Sequence, residues 1–225
     1  MPLPAAVLWD MDGTLVDTEP YWIGAEKDLV AAHGGVWTDA MAKECVGNTL
    51  LRSAQIIIDN SDVTMTPEQV VDHLIGQVLT AMRRHMPWRP GARELLAEAV
   101  RAGVPNALVT MSYTVLADEL VAALPDGSFD TVVTGDVVTH GKPHPEPYLT
   151  AASLLDVRPE DAVAIEDSPT GARSAVAAGV PTIAVPHVVE VPQMDGAVQV
   201  DTLAGLRLAD LTALFSDRNE PLNTK

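Results

Sequence analysis

The sequence predicts an α/β protein: a parallel β-sheet covered by helices on both faces, carrying a small all-helical insert. Three observations predict it. From residue 91 onward, short apolar runs alternate with helix-length amphipathic stretches, and such alternation builds a parallel sheet through crossover connections. One further apolar run, Ala5–Trp9, stands alone near the N-terminus. Between the two, residues 18–86 carry helical patterning and no convincing strand.

The elements follow in order. Ala5–Trp9 is short, apolar and bounded by Pro4 and Asp10, which marks a buried strand. Tyr21–Ala32 reads as an amphipathic helix closed by His33-Gly34-Gly35. Thr38 caps a short helix through Lys43, and Asn48–Asp59 forms another, although the run Ile56–Asp59 also suits a strand. Pro67–His85 is a third, with Thr66 at the N-cap and Pro67 in the first turn. Then come a helix at Gly91–Ala102, a strand at Ala107–Thr110, a helix at Tyr113–Leu124 and a strand at Thr131–Gly135. A helix at Pro145–Leu155, a strand at Asp161–Asp167, a helix at Pro169–Ala178 and a strand at Pro181–Val185 continue the alternation. Val198–Asp201 is a last short strand and Leu203–Phe215 a last helix. The expected division is a core of residues 1–17 and 87–225 and a helical insert of residues 18–86. The polar tail from Ser216 to Lys225 is expected to fray.

Composition narrows the function. Among 225 residues, 14 Lys and Arg face 31 Asp and Glu, a net charge of −17. Nucleic acid and anionic membranes repel such a surface, so neither is an expected partner. A small anionic substrate is compatible, because it feels the local site and any bound cation rather than the net charge. A single cysteine, Cys45, excludes an internal disulfide and fits a reducing compartment. With no basic leader and no apolar run of membrane-spanning length, the expected location is cytoplasmic.

Parallel sheets bind ligands beyond the carboxyl ends of their strands. The residues that fall there are Asp10-Met11-Asp12-Gly13-Thr14, Thr110-Met111-Ser112, Lys142 and Glu166-Asp167. Four carboxylates on one edge repel each other, so a cation belongs among them. Oxygen ligands without His or Cys favour magnesium or calcium, and magnesium typically retains waters and takes a phosphate oxygen. A carboxylate left free can attack phosphorus. Lys142 and the metal would neutralise phosphoryl oxygens, Thr110 would donate to one, and a second carboxylate two residues on could handle the leaving-group proton. Gly13 would let the backbone approach the phosphate.

The stretches DMDGT (Asp10–Thr14), LVT (Leu108–Thr110), GKPHPEPY (Gly141–Tyr148) and IEDSPTGARSAVAAG (Ile165–Gly179) together resemble the haloacid dehalogenase superfamily, in family order and across nearly the whole core. The insert resembles the small helical cap of its phosphatase and sugar-phosphate mutase branch. The resemblance implies a Rossmann-like core, Asp10 as nucleophile and metal ligand, and Asp12 as general acid/base with its carbonyl on the metal. It implies Thr110 and Lys142 as holders of the phosphoryl group, and Asp167 with Glu166 completing a magnesium (Mg2+) site. Ser112 either binds phosphate or caps the helix after it, and Arg52 is a candidate to touch substrate from the cap.

The expected function is magnesium-dependent hydrolysis of small phosphorylated metabolites, sugar or polyol phosphates, through an aspartyl-phosphate, by a monomer or homodimer. Asp12, Glu166 and Asp167 argue against dehalogenation, and Asp12 argues against phosphonate hydrolysis. A β-phosphoglucomutase-like reaction is the alternative. Those relatives carry a histidine just after the hinge where Trp22 aligns here, and DTEPYW instead resembles the sugar-phosphate and hexitol-phosphate phosphatases. A non-catalytic phosphate-binding role is the third reading. The remaining polar residues have plainer expectations. Asp17 and Glu19 are helix-start or solvated charges, His140 and His144 solvated loop residues, and Ser168 an N-cap.

Overall fold

In a computed structural model describing residues 3–216, six strands form one parallel sheet in the order β3-β2-β1-β4-β5-β6. The strands are β1 (Ala6–Trp9), β2 (Asn106–Val109), β3 (Thr131–Val133), β4 (Ala162–Glu166), β5 (Thr182–Ala184) and β6 (Ala197–Gln199). The central strand β1 pairs with β2 on one side and β4 on the other. The chain therefore reverses its winding at β1, and a crevice opens there beyond the strand ends.

Consecutive residues of β1 enter different cores. Val7 and Trp9 pack with α5 (Ala92–Arg101), α6 (Thr114–Ala122) and α9 (Leu208–Ser216), whereas Ala6 and Leu8 pack with α7 (Glu146–Leu154) and α8 (Pro169–Ala177). That is the period of two in a strand buried on both faces, and it explains why the strands read as continuous apolar runs. Trp9 puts an indole N–H into this core, and Asn106 Oδ1 accepts it at 2.9 Å.

The insert is helical throughout: α1 (Glu19–Ala32), α2 (Asp39–Lys43), α3 (Leu50–Asp59) and α4 (Pro67–Arg84). Ile56–Asp59 is helix, because Thr49 caps α3 and its apolar residues recur on one face. Thr66 and Gln69 form a reciprocal capping box at the start of α4. The two chain crossings between core and insert are zipped together. Asp17 N–H donates to Pro87 O at 2.7 Å, and Arg89 N–H donates to Leu15 O at 2.8 Å.

Element starts shift by a residue or two in several places, and two shifts have a specific cause. Helix α1 begins two residues early, at Glu19, with Pro20 in its first turn; the Thr18 hydroxyl does not cap it but turns to Asp12. Helix α9 begins at Leu208 rather than Leu203, because Gly205 adopts φ +85° and breaks the helical path. The polar tail beyond Ser216 lies outside the described residues. Among those described, no helix is long and apolar enough to cross a membrane.

Candidate active site

The ends of β1, β2 and β4 converge with the loop before α7. Asp10 directly follows β1, and its N–H donates to Ile165 O at 3.0 Å, so β4 fixes its position. Met11 O then accepts the N–H groups of Leu15 and Val16, which folds the chain into a tight loop. Gly13 sits in that loop at φ +86°, and a Cβ there would lie 2.0 Å from Asp167 Oδ2. Only glycine permits both the conformation and the approach.

Lys142 is the hub. Its Nζ lies 2.7 Å from Asp10 Oδ1, 2.6 Å from Glu166 Oε1 and 2.9 Å from Val109 O. Burial works against its charge, but Asp10 and Glu166 outweigh that and hold its pKa above the ordinary lysine value. Glu166 is saturated: Tyr148 Oη donates to Oε1 at 2.8 Å, and the N–H groups of Asp167 and Ser168 reach Oε2. Ser168 caps α8 by accepting from Gly171 N–H at 3.0 Å. The start of α8 thus presses on Glu166, where a Cβ on Gly171 would lie 1.8 Å from Oε1.

Asp10 Oδ2 and Asp167 Oδ2 have no such partners, although both are buried. Burial and the charge of Glu166 push the Asp10 carboxyl up to about 7, against the pull of Lys142. Asp167 is raised well above the carboxylate range by burial and by Asp10. Orphaned buried carboxylate oxygens are costly and call for a cation. Asp10, Glu166 and Asp167 bring ligand atoms within 4.8 Å of one another. The donors are all oxygen, which suits a hard divalent ion such as magnesium.

Asp12 stands on the cavity side and is surrounded by donors. Ser112 Oγ donates to Oδ2 at 2.7 Å and Thr110 Oγ1 lies 3.4 Å from the same oxygen. The Thr18 hydroxyl and Trp22 Nε1 donate to Oδ1, the latter at 3.4 Å. Ser112 therefore does not cap α6; the N-cap there is Tyr113, which makes no side-chain cap. The structure brings Asp10, Asp12, Thr110, Ser112, Lys142 and Asp167 onto one cavity and stacks Gly13 and Glu166 directly behind them. Arg52 is exposed on the first turn of α3, where its backbone N–H donates to the Thr49 hydroxyl at 3.4 Å. It does not line the cavity.

The insert closes the cavity from above. A Cβ on Gly141 would meet Thr49 Cγ2 at 2.8 Å, so the loop before α3 touches the Lys142 loop. The wall facing the core includes Glu19, Trp22, Glu26, Cys45, Asn48 and Ser53. Glu19 is thus a helix-start residue but not a solvated one; burial and Asp12 raise its carboxyl to about 8. Asp17 stays partly solvated, its side chain 36% exposed, but it is also paired. Its Oδ1 lies 2.8 Å from His187 Nε2, and Arg89 reaches the other ring nitrogen at 2.9 Å, clasping the two crossings together. His140 and His144 are exposed, and His140 pairs with Glu146 at 2.8 Å.

Sequence reasoning gave no site role to Tyr148, Thr18 or Glu26, and read Glu19 only as a helix-start or solvated charge. Tyr148 had a signal: a tyrosine at an inward helix position needs a partner for its hydroxyl, and the nearby motif supplies acids. Nothing local marks Glu19 and Glu26 as cavity residues, because the face that α1 presents depends on how the insert docks.

A family model described as haloacid dehalogenase-like hydrolase matches residues 7–185. Hexitol phosphatase B of Escherichia coli (strain K12) is 29% identical over 215 residues, covering 93% of each chain. Hexitol phosphatase A of the same organism is 32% identical over 196 residues, covering 84% of this chain and 86% of that one. Among solved structures, a CbbY variant from Rhodobacter sphaeroides in complex with xylulose-(1,5)bisphosphate superposes with a TM-score of 0.85 at 29% identity, covering 93% of this chain and 99% of that one.

Proposed function

Because the chain belongs to the haloacid dehalogenase-like hydrolases, we propose that it hydrolyses small phosphate monoesters, sugar or polyol phosphates, with magnesium and through an aspartyl-phosphate on Asp10. The names of the hexitol phosphatases support the substrate class. One observation carries the chemistry. Lys142 grips Asp10 Oδ1 and leaves Asp10 Oδ2 buried and unpartnered, in a cluster whose Asp10, Glu166 and Asp167 ligand atoms lie within 4.8 Å of one another.

Asp10 Oδ2 and Asp167 Oδ2 are the oxygens that would hold the cation, with Glu166 behind them; the Asp12 carbonyl is the further ligand that the family resemblance implies. When bound, the ion would supply positive charge to the phosphoryl oxygens and keep Asp10 ionised. Lys142 anchors Asp10 so that its carboxylate meets phosphorus in line with the leaving oxygen. Thr110 and Ser112, which now donate to Asp12 Oδ2, would turn their hydroxyls to the phosphoryl oxygens as substrate enters. That exchange frees Asp12 Oδ2 to carry the proton. Asp12 then protonates the leaving oxygen, and its carboxylate activates the water that attacks the aspartyl-phosphate. Thr18 and Trp22 keep Asp12 oriented through both half-reactions. The insert, residues 18–86, acts as a cap over the core of residues 1–17 and 87–225. It excludes bulk water and must open for exchange.

The test is phosphate release from a panel of sugar, polyol, nucleotide and amino-acid phosphates, with and without magnesium, beside Asp10→Asn. Magnesium-dependent turnover lost in Asp10→Asn supports the reading. Magnesium binding without any turnover would overturn it.

A further inference from the structure

At the cap end of the cavity, helix α1 presents two acidic side chains on one face. Glu19 and Glu26 are seven residues apart, two helical turns, and both line the cavity. They are 8% and 4% exposed. Trp37 Nε1 donates to Glu26 Oε2 at 2.8 Å. The Glu19 carboxylate lines the cavity, and no hydrogen bond from a described side chain or backbone group reaches it. Trp22 and Ile23 lie between the two acids in sequence and line the same cavity, as do Leu50, Asn48 and Ser53.

Positive charge is scarce in this space. Lys142 is the one cation among the described lining residues. Its three protons are committed to Asp10, Glu166 and Val109 O at the core end. Arg52 lies exposed outside the lining. A phosphoryl group therefore has its cationic ground only beside Lys142 and the metal pocket, and whatever it is attached to meets Glu19.

We propose that Glu19, supported by Glu26, reads the hydroxyl groups of an uncharged, polyhydroxylated leaving group, and that the same pair excludes substrates bearing a second phosphate or carboxylate. This rests on the phosphomonoester hydrolysis proposed above and deepens it. A hydroxyl both donates and accepts, so it pairs with a carboxyl in either protonation state. A second phosphate finds no fork of cationic donors. Even a protonated carboxyl offers one donor and no charge, while an ionised one repels. Specificity here comes as much from that repulsion as from attraction. The bisphosphate held by the structurally similar CbbY variant is the kind of ligand this chain would reject.

The experiment uses the full chain with magnesium and three probes: sorbitol 6-phosphate, fructose 1,6-bisphosphate and p-nitrophenyl phosphate. The wild type is expected to favour the polyol monophosphate over the bisphosphate by about tenfold or more in kcat/KM. Glu19→Ala is expected to lower the ratio of polyol to aryl phosphate kcat/KM about tenfold, mainly through KM. Glu19→Gln, which removes the charge and keeps the shape, is expected to raise the ratio of bisphosphate to monophosphate by a similar factor. Ratios within one preparation do not depend on the folded fraction, so a partly unstable variant still reports. Bisphosphate as the better wild-type substrate, or ratios unmoved in both variants, would overturn the inference while leaving the phosphatase reading intact. No hydrolysis of any probe would remove that reading and this inference with it.

Discussion

Gly13 lies against the carboxylate of Asp167 with no room for a methyl group: a Cβ on Gly13 would stand 2.0 Å from Oδ2 and 2.6 Å from Cγ. The contact joins the loop after β1 to the end of β4, so two distant motifs form one wall. Gly13→Ala must either swing Asp167 away or lift the loop carrying Asp10 and Asp12. We expect loss of phosphate release by about a hundredfold or more and a stability loss of about 1–3 kcal/mol from the strained φ. Gly76→Ala is the matched control. It lies inside α4 with nothing within 4 Å of the added carbon, and should stabilise by about 0.5–1 kcal/mol. Kinetics and urea unfolding of the two variants check both halves.

Tyr148 and Lys142 share Glu166 Oε1, at 2.8 and 2.6 Å. They should differ sharply when removed. Tyr148→Phe deletes one donor to a carboxylate that keeps others, and should cost about 1–3 kcal/mol. Lys142→Met leaves Asp10 and Glu166 buried without a counter-charge, and should cost about 3–5 kcal/mol and abolish turnover. In urea, Tyr148→Phe should lower the midpoint with an unchanged m-value. Equal effects from the two variants would contradict the hub role of Lys142.

Magnesium should stabilise the folded protein, because Asp10 Oδ2 and Asp167 Oδ2 have no partners without it. At a hundredfold excess over Kd the gain should be about 2.7 kcal/mol. Asp10 is held up to about 7 without metal, so below that pH a proton must leave before the ion binds. The magnesium-induced rise in Tm should therefore be larger at pH 8 than at pH 6. Asp167→Asn should lose most of the rise at both.

Glu26 gives a separate pH signature. Burial raises its carboxyl from 4.5 to about 7, with the Trp37 N–H pulling the other way. The folded protein thus binds this proton more tightly than the unfolded chain. Its contribution to stability is fully present below pH 4.5, falls as pH rises, and is lost once pH passes about 7. The wild type should lose at most roughly 3 kcal/mol through this group over that window. Glu26→Gln should flatten the corresponding part of the stability profile, measured by urea midpoints between pH 4 and pH 8.

The α/β class, the alternation of elements and the sheet edge where Lys142 and the acidic groups gather were all legible in the sequence. Strands such as Ala162–Glu166 and helix caps such as Thr66 and Ser168 are local features. Their apolar runs and capping residues depend only on neighbours a few positions away. Asp10, Asp12, Lys142, Glu166 and Asp167 could be singled out for the same reason, since each stands where a strand or loop motif ends. Which of them share a hydrogen bond was a matter for the tertiary structure alone. Lys142 lies 132 residues from Asp10, and only the pairing of β1 with β4 brings Glu166 to both. The roles of Glu19 and Glu26 were decided at the same level. The i, i+7 spacing puts the two on one face of α1, but an acidic helix face reads as solvated until the insert's docking buries it. Arg52, the cap residue the sequence pointed to, lies on the outside for that reason too: its helix faces the cavity with Leu50 and Ser53 instead.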